Sequence, residues 1–194
     1  FLSDASRQCF SLSSLLVRTH LGLLDSSLIE QEFLAQLNCF MTTMGRLPDF
    51  IDGHQHVHQF PIIRNSILKM YNKHFNDKKV YIRSIYPMLP VAAFQFKRAV
   101  LAHTGGKALK KLLQQLSLKH NHYFAGIYDF SPSANYRVLF QQWLQHAPNN
   151  TLIMCHPGEG SDNQDVIRLA RVQELNYFSS DAFLEDCRHY KVKI

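Results

Sequence analysis

Short apolar runs of strand length alternate with longer amphipathic segments along this chain, and few folds accommodate that order. The clearest helix is predicted over residues 27–44, where apolar side chains recur every three or four positions. A short, wholly apolar run over residues 151–155 is typical of a buried strand. Strands that alternate with helices usually pair in parallel, so we expect an α/β fold. Because no repeat or linker interrupts 194 residues, we expect one domain over residues 1–194.

The same patterns place the individual elements. Strands are predicted over residues 50–58, 80–86, 123–130, 151–155 and 192–194. Helices are predicted over residues 27–44, 92–102, 107–118, 136–146, 165–177 and 181–190, with one more that begins at Pro61. Ser27 and Glu30 have the spacing of a capping box at the start of the first helix, and Gly45 is expected to end it.

The composition and the spacing of the cysteines exclude three classes of protein. Hydrophobic residues make up 46% of the chain and charged residues 19%, which is incompatible with a disordered chain. No run of about 18 apolar residues exists, so we expect no membrane-spanning helix. The four cysteines are far apart and form no Cys-x-x-Cys pair, which excludes a zinc ribbon and favours a reducing, cytoplasmic compartment.

The positive charge is concentrated in residues 97–120, which hold six basic residues and no acidic one. The chain has 21 lysines and arginines against 15 acidic residues, so this segment accounts for the whole net charge of +6. An anionic partner such as nucleic acid is one interpretation. The other is the solvated face of an amphipathic helix, which the interleaved leucines favour. Since no aromatic residue interleaves the basic ones, binding of nucleic acid is the weaker hypothesis.

The first candidate site lies in the second half of the predicted strand at residues 50–58. In an extended strand every second side chain points to one face, which would group the Asp52 carboxylate with three imidazoles. Those imidazoles belong to His54, His56 and His58. Burying such a group costs free energy unless a ligand binds it, and a divalent metal is the ligand that imidazoles and carboxylates favour. A polar strand end with histidines bonded to the backbone is the alternative, but the clustering favours a metal or catalytic site.

The second candidate site follows the apolar run at residues 151–155. His156 and the turn after it would lie at the carboxyl end of a parallel strand, where ligands bind in α/β folds. His156 is therefore a candidate general acid or base, and Glu159 a candidate partner. An ordinary turn histidine is the alternative. Cys155, inside the apolar run, is expected to pack in the core rather than act as a nucleophile.

These two motifs resemble one family. Residues 45–61, GRLPDFIDGHQHVHQFP, closely resemble the signature of YdjC-like carbohydrate deacetylases of the ChbG/HpnK type. Residues 126–130, residues 155–158, Arg171 and residues 174–175 follow the family's later pattern. The resemblance implies an incomplete or distorted (β/α) barrel that removes acetyl groups from N-acetylated sugars such as chito-oligosaccharides.

The resemblance also implies roles for individual residues. His54 corresponds to a ligand of the family's divalent metal, Mg or Zn, and His156 to its general acid. Asp52, His56, His58 and Glu159 are the candidate supporting residues, as the residue patterns at the two sites indicate. In that mechanism a metal-bound water attacks the acetyl carbonyl and the histidine protonates the leaving sugar amine.

The chain departs from the family pattern because it has no Asp-Asp-Phe-Gly motif and no Gly-x-His-Leu motif. We therefore expect it to correspond to the C-terminal two-thirds of a deacetylase domain. Without the Asp and His ligands of those motifs, we expect the metal to bind weakly or not at all and the activity to be impaired. A barrel that lacks its first strand would leave a strand edge unpaired, which favours homodimerisation, strand exchange or aggregation.

A non-catalytic remnant that binds glycans or anions is the alternative function. Tyr128, Phe130 and Trp143 are the aromatic residues proposed to stack on sugars in that case.

Overall fold

The computed structural model describes residues 10–75, 77, 79–89 and 94–193. In the order of the chain, the described helices are α1 (Leu12–His20), α2 (Ser26–Met44), α3 (Pro61–His74), α4 (Gln95–Leu101), α5 (Lys107–Gln115), α6 (Tyr136–His146), α7 (Arg168–Phe178) and α8 (Asp181–His189). A 3-10 helix spans His54–Gln59 and a π-helical turn spans Ala102–Gly106. The strands are β1 (Phe50–Ile51), β2 (Tyr81–Ile82), β3 (Tyr123–Ala125) and β4 (Thr151–Ile153).

Both strand pairings are parallel, as the alternation of strands and helices predicts. Strand β1 pairs with β2, with Phe50 opposite Tyr81. Strand β3 pairs with β4, with Phe124 opposite Leu152. Over the described ranges these pairs remain separate two-stranded sheets and form no closed barrel. The mixed α/β class is therefore confirmed.

The strands are shorter than predicted, because patterns of side chains along the sequence do not show where the ladder hydrogen bonds end. The predicted strand over residues 50–58 stops at Ile51, where the chain turns into the 3-10 helix. No strand forms at residues 192–193, and the last residue of that prediction, Ile194, lies outside the described residues. The helix predicted over residues 92–102 likewise begins outside them. Helix α6, by contrast, has the predicted bounds.

Helix α2 starts and ends on different kinds of signal. Its N-cap is Asp25, whose carboxylate accepts the Ser27 N–H at 2.8 Å, so the predicted capping box is wrong. Glu30 instead forms an ion pair with Lys69 of α3 at 2.8 Å. Gly45 adopts the left-handed conformation, with φ of 66°, and ends the helix as predicted.

The chain divides into two compact units, and each has its own core. The first comprises residues 1–86 and 101–121. Its main core is a set of nine buried apolar residues: Leu37, Leu68, Tyr71, Phe75, Val80, Ile82, Leu109, Leu113 and Leu118. That residues 1–194 form a single domain stays a prediction.

The second unit comprises residues 87–100 and 122–194. Aromatic side chains from α6 and α7 fill its core together with strand β3. The buried members are Leu89, Ala125, Tyr128, Tyr136, Phe140, Trp143, Leu144, Ala170 and Tyr177. Neither this unit nor the first contains, in its described part, a helix with both the length and the apolar character needed to cross a bilayer.

The basic segment is only in part a solvated helix face. Leu109 and Leu113 of α5 are buried, as the amphipathic interpretation predicts. Lys110, however, is 8% exposed, and its ammonium donates to the Asn121 carbonyl at 3.0 Å. At least one of the six basic side chains is therefore buried and hydrogen-bonded inside the first unit instead of facing solvent.

Candidate functional site

The His54 segment, residues 52–59, directly follows strand β1 in the first unit. Gln55 and His56 have left-handed backbone conformations, with φ of 50° and 63°. A left-handed pair breaks the two-residue alternation of an extended strand. The prediction that every second side chain from residue 52 to residue 58 shares one face is therefore wrong.

His58 is buried in this segment rather than presented to a ligand. Its side chain is 1% exposed, and its ring Nε2–H donates to the Arg83 carbonyl at 2.9 Å. Burial and the neighbouring Arg83 charge lower the pKa of His58 to about 4, although Asp52 opposes the shift. At neutral pH the imidazole is therefore uncharged, and it serves as a structural hydrogen-bond donor.

Asp52 is paired with a cation that the sequence interpretation did not consider. Its Oδ1 lies 2.5 Å from Arg83 Nη2 and 3.8 Å from His58 Nδ1. The same guanidinium donates to the Gly53 carbonyl at 3.0 Å. The structure thus brings Asp52 and His58 together, but around an arginine.

His54 lies beside a large cavity of the first unit. The cavity has a volume of about 710 Å³ and is bordered by His54, Asp52 and His58 as well as by apolar side chains. The apolar lining includes Phe33, Leu37, Phe40, Phe50 and Ile63. His54 itself is exposed and His56 is half-buried. Of the three imidazoles, His54 is thus the exposed one, and it borders open space.

The described residues do not fit a complete metal centre. Nowhere in residues 10–75, 77, 79–89 and 94–193 do three His, Cys, Asp or Glu side chains lie close enough to hold one ion. The His58 ring is bonded to a carbonyl, and Asp52 is neutralised by Arg83. A metal bound at His54 would need ligands from beyond these residues.

The His156 loop, residues 154–160, follows strand β4 in the second unit. The Met154 N–H donates to the Ala125 carbonyl at 3.0 Å, which extends the pairing of β3 with β4 to the start of the loop. The His156 N–H donates to the Glu174 carboxylate, and the Arg171 guanidinium donates to the His156 carbonyl at 3.3 Å. The backbone of His156 is therefore fixed on both sides by helix α7.

The His156 ring is partly accessible and is flanked by an aromatic ring and a carboxylate. Its side chain is 26% exposed, and Nδ1 lies 3.9 Å from Glu174 Oε1. The Phe130 ring packs edge-on against the imidazole at 5.2 Å between centroids. Phe130 has a φ of 61°, an uncommon conformation for a bulky residue that is typical of functional regions. A partly exposed titratable ring on a backbone fixed by hydrogen bonds is suited to proton transfer.

Glu174 is the carboxylate that contacts His156, whereas Glu159, the predicted partner, is exposed on the loop. The Glu174 side chain is fully buried, and the Tyr128 hydroxyl donates to it at 2.5 Å. Burial raises the pKa of Glu174, and the bonds from His156 and Tyr128 oppose that shift. A supporting role for Glu159 stays a prediction.

Cys155 does not pack in the core as expected. It is exposed, because β4 ends at Ile153 and the chain has already left the sheet. Burial of the surroundings and the Glu174 charge nevertheless raise the pKa of the thiol. A raised thiol pKa lowers the thiolate fraction, which agrees with the expectation that Cys155 is not a nucleophile.

No role was assigned from the sequence to Arg83 or Glu174, although the position of each indicates a charged side chain in buried surroundings. Arg83 is a charged residue inside the apolar run at 80–86. Glu174 shares a face of α7 with buried Ala170 and Tyr177, at spacings of four and three residues. A charged residue on an otherwise buried face requires a partner.

The two sites belong to different units, the His54 segment to the first and the His156 loop to the second. That His54 and His156 approach each other stays a prediction.

Comparisons with known proteins identify the family. The model of the YdjC-like protein family matches residues 5–189. A carbohydrate deacetylase of Danio rerio is 47% identical over 45 residues, which are 23% of this chain and 14% of the relative. A carbohydrate deacetylase of Homo sapiens is 48% identical over 40 residues, 21% of this chain and 12% of the relative.

A third relative, a carbohydrate deacetylase of Xenopus laevis, is 38% identical over 53 residues, 27% of this chain and 17% of the relative. The matched segments thus span less than a fifth of each of these relatives. No solved structure matches the chain significantly. Because the family model covers nearly the whole sequence, the chain belongs to the YdjC-like protein family.

Proposed function

We propose that this chain is part of a metal-dependent carbohydrate deacetylase that hydrolyses the acetamide of N-acetylated, chito-oligosaccharide-like sugars. Membership of the YdjC-like family and the similarity to three carbohydrate deacetylases support the reaction class. The two parallel strand pairs are consistent with an incomplete or distorted (β/α) barrel, which we propose as the fold of the whole domain.

In this proposal His156 is the general acid that protonates the leaving sugar amine. The observation that carries the assignment is a partly exposed imidazole whose backbone is fixed on both sides by Glu174 and Arg171. Fixing the backbone restricts where the ring can reach, and proton transfer depends on that geometry.

Among the described residues, His54 is proposed as the metal ligand. Its exposure and its place beside the 710 Å³ cavity leave it accessible, unlike His58. Since the described residues do not complete a metal site, we expect Mg²⁺ or Zn²⁺ to bind this chain weakly.

The test is acetate release from acetylated chito-oligosaccharides, with and without added Mg²⁺ or Zn²⁺, compared between the native chain and His156→Asn. His146→Asn, an exposed histidine outside both sites, is the matched control. We expect any acetate release to fall at least about a hundredfold in His156→Asn and to remain in the control. Full release by His156→Asn would overturn the assignment of the acid.

Binding of a glycan or anion without turnover is a second candidate, favoured by one observation. The Lys97 ammonium lies 4.7 Å from the centre of the half-buried Phe130 ring, which places a cation and an aromatic surface side by side. Tyr128 and Trp143, by contrast, are 1% and 2% exposed and cannot stack on a sugar. Saccharide binding that is lost in Phe130→Ala, persists with chelator and yields no acetate would favour this candidate.

A further inference from the structure

We propose that Glu174 is a positioning residue for His156, whose buried carboxylate orients the imidazole and stabilises its protonated form. The inference rests on the proposed role of His156 as the acid. It goes beyond that role because it states which residue controls the protonation of the His156 ring. That residue lies on α7, a helix that holds neither the proposed acid nor the proposed metal ligand.

The contacts place both oxygens of the Glu174 carboxylate on the candidate acid and its surroundings. One oxygen, Oε2, accepts the His156 backbone N–H, and the other, Oε1, lies 3.9 Å from the ring Nδ1. Oε1 also accepts the Tyr128 hydroxyl at 2.5 Å, so the carboxylate cannot rotate freely. A fixed negative charge near Nδ1 favours an imidazolium with its other nitrogen, Nε2, directed away from the helix.

Helix α7 reinforces this arrangement through a second side chain. Arg171 lies three residues before Glu174, which puts both on one face of the helix. Its guanidinium bonds to Asp165 Oδ2 at 2.5 Å and to the His156 carbonyl, and its own carbonyl accepts the Gly158 N–H at 3.2 Å. The backbone N–H and carbonyl of His156 are thus both bonded to side chains of a single turn of this helix.

The electrostatic surroundings include groups of both signs. Burial raises the pKa of Glu174, whereas the nearby Arg171 charge lowers it. The titratable or charged groups that interact with this pair are Tyr128, Tyr136, Cys155, Asp165 and Arg171. Because Glu174 is the carboxylate nearest the ring, its removal is the change that tests the assignment.

The test follows ring protonation of His156 by NMR, using nitrogen-15-labelled histidine and the whole chain. We expect Glu174→Gln, which preserves shape and removes the charge, to shift the half-protonation pH of His156 downward by about one unit. Glu174→Asp, which preserves the charge and shortens the side chain, should shift it by less than half as much. Cys155→Ser, a neutral change beside the histidine, is the control and should leave the half-protonation pH of His156 unchanged.

A merely structural role predicts the opposite order. If Glu174 only fills space, the shorter Glu174→Asp disturbs the site more than the isosteric Glu174→Gln, and that order would overturn the proposal. An unmoved midpoint in Glu174→Gln would overturn it as well. If Glu174→Gln prevents folding, Glu174→Asp alone tests the proposal. A shift of one unit or more in the half-protonation pH of His156 in that variant would contradict it.

Kinetics separate this inference from the proposed function. If the chain releases acetate, Glu174→Gln should lower kcat by about tenfold or more and change KM by less than about twofold. A shifted midpoint in a chain that never releases acetate, even with added Mg²⁺ or Zn²⁺, would support the Glu174–His156 pairing and give no support to the proposed deacetylation. Acetate release that depends on His156, together with an unchanged half-protonation pH of His156 in Glu174→Gln, would support the deacetylase and contradict the Glu174–His156 pairing.

Discussion

Arg83 and Asp52 form a close ion pair, with 2.5 Å between Nη2 and Oδ1. The arginine side chain is 8% exposed and the aspartate side chain 40%. The same guanidinium bonds to the Gly53 carbonyl, so Arg83 fixes the start of the His54 segment. Asp52, which the sequence suggests as part of a metal site, is therefore neutralised by Arg83, and the ion pair stabilises the turn that follows β1.

Replacing Arg83 should destabilise the first unit more than replacing a surface arginine. Arg83→Met leaves Asp52 and the Gly53 carbonyl without this donor, and we expect a loss of about 2 kcal/mol in unfolding free energy. The matched control is Arg46→Met, whose pair with Asp49 is 2.6 Å long but exposed on both sides. The control should cost less than about 1 kcal/mol. Urea denaturation measures both, and equal losses would contradict the structural role of Arg83.

Acid should weaken the protein through His58. The folded pKa of about 4 lies below the ordinary 6.5, so the unfolded state binds the proton more readily between these values. The contribution is complete above pH 6.5, is lost as the pH falls toward 4, and amounts to about 3 kcal/mol. His58→Gln should flatten the stability profile in this window. His146→Gln should leave the slope intact, and a native profile that is flat from pH 6.5 to 4 would contradict the prediction.

Asp186 should be more important for the second unit than its neighbour Glu185. Its carboxylate accepts two bonds from Arg137, one from Gln141 and one from Tyr177, which ties α6, α7 and α8 together. Although burial raises the pKa of Asp186, these bonds outweigh that effect and the pKa lies below its usual value.

We expect Asp186→Ala to cost about 3 kcal/mol of stability. Glu185→Ala removes only an exposed contact of 3.4 Å to Arg137 and should cost less than about 0.5 kcal/mol. Thermal unfolding of the two variants checks the difference, and similar melting temperatures would refute it.

A methyl group at Gly126 should disrupt the approach of β3 to the His156 loop. Gly126 has a φ of 91°, and a Cβ there would lie 2.1 Å from the Met154 carbonyl oxygen. We expect Gly126→Ala to cost more than about 3 kcal/mol, because backbone must move. Gly22→Ala, at a φ of 73° with open space around it, should cost only about 1 kcal/mol. Circular dichroism during urea unfolding compares the two.

The class of the fold could be predicted from the sequence, because hydrophobic periodicity reports local burial directly. Helix α6 has its predicted bounds, and Gly45 ends α2 as expected. The strands were overestimated for a related reason. The pattern over residues 80–86 indicates an extended, largely buried segment, but it does not show that the ladder hydrogen bonds end at Ile82.

The sites could be located but not assembled from the sequence. The positions of the His54 segment and the His156 loop, each after a parallel strand, follow from the order of elements. The left-handed turn at Gln55 and His56 does not, because nothing in a Gln-His dipeptide requires positive φ. The contact between His156 and Glu174 joins residues 18 positions apart and depends on tertiary packing.

The spacing of Arg171 and Glu174 on α7 restricts how the sequence of this region can vary over evolution. One residue inserted between them would rotate Glu174 by about 100° around the helix axis. The carboxylate would then leave the His156 N–H while Arg171 still held the carbonyl. Substitutions on the outer face of this helix should therefore accumulate readily among related sequences, whereas gaps within this single turn should be selected against.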